Sequence, residues 1–94
     1  MSSKSYDGVT QAVWECVKLN SIAKNAATYD PPDGTEGTVT IPTPVGTVVL
    51  EFALDPTAST VTYTIKSKPL LVPESSMWSG IGDSIDACIK SGGG

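Results

Sequence analysis

Histidine and arginine are both missing from this chain of 94 residues, and its six cationic side chains are all lysines. Without imidazole there is no Ser-His-Asp or Cys-His pair and no His-bearing zinc site. Without guanidinium there is no bidentate fork for phosphate or carboxylate. Charged residues are scarce as well, at 17%, below the quarter or so usual in soluble domains. Long apolar runs are absent, and a mean hydropathy of +0.02 is too even for a membrane span or a disordered tail. These absences leave a small globular domain whose expected role is non-catalytic, with no cofactor and no metal.

The length allows one domain, since single domains run from roughly 50 to 200 residues. Residues 1–5 read as a flexible lead, 6–91 as a single small α+β domain and 92–94 as a flexible glycine tail. Ten acidic residues against six lysines give a net charge of −4, which disfavours nucleic acid and anionic membranes as partners. Thr, Ser, Gly and Pro take the place of charge, a composition that leans towards an exported or extracellular protein, although residues 1–5 carry no apolar signal-peptide region.

Tyr6, Val9, Val13, Cys16 and Val17 recur at helical steps and predict a helix over 6–27, capped by Ser5 or Asp7. Asn20 falls on the same stripe, where it either ends the dry face or sets a polar group against the core. The run Thr28-Tyr29-Asp30-Pro31-Pro32-Asp33-Gly34 reads as a loop. Three β-branched, alternating runs follow, over 38–41, 45–54 and 59–66, joined by short proline turns that require antiparallel neighbours. Pairing Ile41 with Gly46 and Phe52 with Val61 gathers Val39, Ile41, Val48, Leu50, Phe52, Leu54, Val61, Tyr63 and Ile65 on one face. The other face is Thr38, Thr40, Thr47, Val49, Glu51, Thr62, Thr64 and Lys66. A second amphipathic helix is expected over 73–91, softened by Gly80 and Gly82. The expected architecture is therefore α-β-β-β-α: a three-stranded antiparallel meander with both helices packed on one face and pointing the same way.

The two cysteines, Cys16 and Cys88, occupy equivalent places on the two helical stripes. They form either a disulfide or a pair of buried free thiols. The carboxylates of Asp30, Asp33 and Glu36 make either a calcium-holding loop or a plain acidic turn, and Glu51 is either an acid-base group or a solvated carboxylate. In both cases the plainer reading has more weight, because the EF-hand spacing is missed and no partner for Glu51 appears in the sequence.

Binding candidates are concentrated in two places. Leu70, Leu71 and Val72 form an apolar run between prolines, outside any regular element. Together with Trp78 they either plug the end of the core or stand exposed as a partner site. A chain this short needs its large side chains inside, which favours the plug. Thr40 and Thr62 mark the threonine face, either a flat recognition surface or an ordinary solvent face. The leading functional reading is an interaction module that binds another protein through one of these surfaces. The alternative is a small-molecule or glycan site between helices and sheet, lined by Trp14, Trp78, Tyr63 and Phe52.

The α-β-β-β-α order resembles the topology of double-stranded-RNA-binding domains. Where that family has a lysine cluster and a basic loop residue, this chain has Pro73-Glu74-Ser75-Ser76 and Pro42-Thr43-Pro44. The resemblance therefore implies a fold analogy and no RNA-binding residues.

Overall fold

The computed structural model describes residues 3–31 and 34–91. Its elements run β1 (Ser3–Asp7), α1 (Gln11–Asn25), β2 (Thr28–Asp30), β3 (Glu36–Thr43), β4 (Gly46–Asp55), β5 (Thr60–Ser67) and α2 (Glu74–Lys90). One antiparallel sheet holds the five strands in the order β1-β5-β4-β3-β2. The α+β class and the meander of β3, β4 and β5 stand, but the α-β-β-β-α order is corrected to β-α-β-β-β-β-α, with one further strand on each edge of the meander.

Both hairpins differ from the expected register by two residues: Ile41 lies opposite Val48, and Phe52 opposite Tyr63. Side chains alternate with a period of two, so a slip of two leaves every residue on its own face. Val39, Val48, Leu50, Phe52, Leu54, Val61, Tyr63 and Ile65 are accordingly buried, and Ile41 is partly so. The turns are fixed locally. Asp55 Oδ1 accepts from the amides of Thr57 and Ala58 at 3.1 and 3.2 Å, a turn typical of aspartate.

Ser3 to Ser5, expected as a flexible lead, pair with Thr64 to Thr62 on β5. Residues 92–94, expected as a glycine tail, lie outside the described residues. The helical stripe does not extend back to Tyr6, which belongs to β1 although its spacing from Val9 fits a helix. Gly8, at φ +75°, turns the chain between β1 and α1 instead. Thr10, not Ser5 or Asp7, caps α1, its Oγ1 accepting from the Val13 amide at 3.2 Å. The helix ends at Asn25, with Ala26 left-handed at φ 55°. β2 then turns back along β3, where Gly37 passes so close to the Asp30 carbonyl and the Pro31 ring that a side chain would collide.

Both helices pack on one face: Val13, Trp14 and Val17 of α1 and Ile85 and Cys88 of α2 join the inner sheet residues in a single core. Their common direction is corrected, because β2 adds a reversal. α1 reverses into β2 and β2 into β3, so α1 runs parallel to β5, while α2 reverses out of β5. The contacts agree. The Ile89 side chain lies 3.4 Å from where a Cβ on Gly8 would stand, and Ser21 and Asn25 border the same cleft as Ser76 and Met77.

Candidate functional site

Cys16, in the first half of α1, is disulfide-bonded to Cys88 in the last turn of α2, with their Cα atoms 5.9 Å apart. The Asn20 amide donates to Cys88 Sγ at 3.4 Å, so the polar residue on the stripe does sit against the core. Nearer the start of α2, Tyr6 ties the helix to the edge strand through its hydroxyl, which donates to the Trp78 carbonyl at 2.9 Å. The Tyr6 ring also packs 3.5 Å from the Cβ position of Gly82, an ordinary contact distance that leaves room for a side-chain carbon.

Gly80 has a different role. No atom of the described residues lies within 4 Å of its Cβ position, and with Ser76 and Ser84 it forms a row of small residues on the cleft side of α2. The helices therefore leave a gap over the sheet, a cleft of about 330 Å³. Its floor is Ile41, Val48, Leu50 and Tyr63; α1 contributes Val17, Ser21 and Asn25, and α2 adds Met77 and Ile81. Among the described residues no charged side chain lines it. The row at 76, 80 and 84 was readable in the sequence as a spacing of four. Nothing there showed which neighbour it would face.

Leu70 and Leu71 are 96% and 79% exposed, so the plug reading is corrected for both. The loop is folded on itself: the Val72 amide donates to the Pro69 carbonyl at 3.1 Å, and Lys68 Nζ donates to the Val72 carbonyl at 2.9 Å. This turn holds the two leucines out and sets Val72 into the lining of the cleft. Trp78 is half-buried against the core. Trp14 and Phe52, expected to line a pocket, instead fill the core, with ring centroids 5.1 Å apart. Tyr63 alone of the four expected lining residues borders the cleft. Trp14 Nε1 is a buried donor without a hydrogen-bond partner among the described residues.

Thr40 and Thr62 are partly exposed on the sheet face away from the helices, on β3 and β5 with β4 between them. The edge strand extends that polar face, with Ser5 and Thr62 hydroxyls 2.8 Å apart and Ser3 and Thr64 hydroxyls 2.9 Å apart. The six candidate residues are thus dispersed: Leu70 and Leu71 stand on the exposed loop, Val72 lines the cleft, Trp78 packs against the core, and Thr40 and Thr62 lie on the far sheet face. Glu51 pairs with Lys66 at 3.8 Å on the solvent side. Asp30 and Glu36 belong to β2 and β3, and Asp33 lies outside the described residues. Among the described residues no group of three His, Cys, Asp or Glu side chains is placed to hold a metal ion.

Burial raises all three tyrosines above their ordinary pKa of 10.0. Tyr63 is raised furthest, by burial first and then by the nearby phenols of Tyr29 and Tyr6. For Tyr29 a hydrogen bond with Ser21 opposes the effect of burial. A phenol with a raised folded-state pKa contributes its full stability below the unfolded value and loses it as the pH rises through the folded one. Stability should therefore fall above pH 10, with tyrosinate absorbance and the loss of circular dichroism rising together. Removing the Tyr63 hydroxyl by Tyr63→Phe should weaken that dependence most. Comparison with protein-family models, with curated proteins and with solved structures gives no match.

Proposed function

We propose that the domain is a non-catalytic interaction module that binds another protein through the loop between β5 and α2, with Leu70 and Leu71 as its anchors. One observation carries this reading: two consecutive leucines are held almost fully in solvent, 96% and 79% exposed, by a hydrogen-bonded turn. Burying a leucine is worth about 1.5–3 kcal/mol, and this small domain forgoes that gain twice. A few well-packed anchors carry most of the binding energy in protein interfaces, and two adjacent exposed leucines offer the apolar area for such an anchor. The net charge of −4 favours a contact surface that is apolar at its centre and basic around it.

A random peptide library selected on the wild-type domain tests the reading. Enriched peptides should carry a large apolar residue flanked by Lys or Arg. Leu70→Asp combined with Leu71→Asp should weaken them by about 30-fold, the size of a hot-spot loss. The unfolding free energy of the same variant should move by less than about 0.5 kcal/mol, as for other surface changes. Peptides that bind this variant undiminished but are lost with Thr40→Lys or Thr62→Lys would move the site to the sheet face and overturn the proposal.

A further inference from the structure

We propose that the cleft between α1, α2 and the sheet is a separate binding site for a neutral, mainly aliphatic small molecule with one hydroxyl or amide head group. Its volume of about 330 Å³ is at the lower end of the range that holds small ligands, roughly 300–1,000 Å³. The walls are largely apolar, and their polar groups are hydroxyls and one amide: Ser21, Thr43, Ser76, Ser84 and Asn25. With no charged group in the lining among the described residues, an ionised head group would lose its water without gaining a counter-charge, whereas a neutral one can both donate and accept.

Tyr63 supplies a second, independent observation. It is only 3% exposed and lies in the floor of the cleft. A phenol in the lining of a largely apolar cleft can donate to a ligand oxygen. The walls are also set in advance. The disulfide pins α1 to α2 beside the cleft, and Gly80 keeps the α2 wall low, so little ordering remains to be done on binding. Leu70 and Leu71 take no part in the lining, to which their loop gives only Val72, so this site stands or falls apart from the two leucine anchors.

The probe is 1-octanol, titrated calorimetrically and by the proton resonances of Tyr63 and Met77, with octanoate and octylammonium as charged counterparts. Saturable binding of the alcohol is expected, with shifts confined to cleft residues and both ions at least about tenfold weaker. Tyr63→Phe should weaken the alcohol by about tenfold, the upper effect of one hydrogen bond, and leave cyclohexane unaffected. Gly80→Leu should fill the cleft and abolish binding while the melting temperature holds or rises, because leucine replaces glycine in a helix. Ser84→Leu, from the same wall, repeats the test should Gly80→Leu misfold. Unsaturable binding, ions as tight as the alcohol, or undiminished binding to a folded filled-cleft variant would each overturn the proposal.

Discussion

Reduction of the Cys16–Cys88 bridge is expected to lower the unfolding free energy by about 4 kcal/mol. The two residues are 72 apart in sequence, and the chain-entropy relation gives about 3 kcal/mol for a loop of about 15 residues and about 4.7 for about 100. Against the roughly 5–15 kcal/mol of a typical domain, such a loss leaves little margin. For a chain of this size it corresponds to a fall in melting temperature on the order of 20 °C. The loss should come mainly from the unfolded state, because Cys88 is 1% exposed and a free thiol packs as a small hydrophobe. Reduced protein should therefore show a steeper dependence of stability on urea as well as a lower midpoint, since its unfolded chain is less confined. Urea unfolding with and without reductant, alongside a Cys16→Ala/Cys88→Ala variant, measures both. A shift below about 1 kcal/mol would mean that the helices are held together without the bridge.

The cysteine pair also shows how far the sequence can be read and where it misleads. Equivalent places on two stripes suggested a contact between helices running the same way. The contact exists, but the helices run in opposite directions, and the first half of α1 meets the last turn of α2. The error comes from Thr28-Tyr29-Asp30, a strand of three residues too short to show alternation, which adds one reversal of the chain. Tyr6 misled in the same manner, since its spacing from Val9 and Val13 mimics a helix although it belongs to a polar edge strand. The meander was legible because its faces survive a register slip of two. The sites were less so. An apolar run at Leu70 and Leu71 is visible in the sequence, but whether it fills the core depends on what else does. Here Trp14, Phe52 and Tyr63 fill the centre, and Val72 turns inward in place of its neighbours.

Trp14 is where packing should be felt most. It is fully buried, and its ring meets Tyr29 of β2 edge-on at 6.0 Å, Phe52 of β4 at 5.1 Å and Tyr63 of β5 at 6.2 Å. One side chain of α1 thus joins the central strands to the short edge strand, which has three residues paired with β3. Trp14→Ala should cost about 3–5 kcal/mol, the usual range for a large aromatic removed from a core. Amide exchange should show β2 opening first. Trp14→Phe should cost far less, about 1 kcal/mol, because two effects oppose. Phenylalanine leaves a smaller void, and it also removes the indole N–H that has no partner among the described residues, a burden of about 1–3 kcal/mol when buried. Phe52→Leu should not add independently to Trp14→Ala, because the two rings share one contact surface. Urea unfolding of the single and double variants reads these differences directly. If Trp14→Phe proved as costly as Trp14→Ala, the indole N–H would have to be paired in solution, and the ring would be held by a hydrogen bond as well as by its aromatic neighbours.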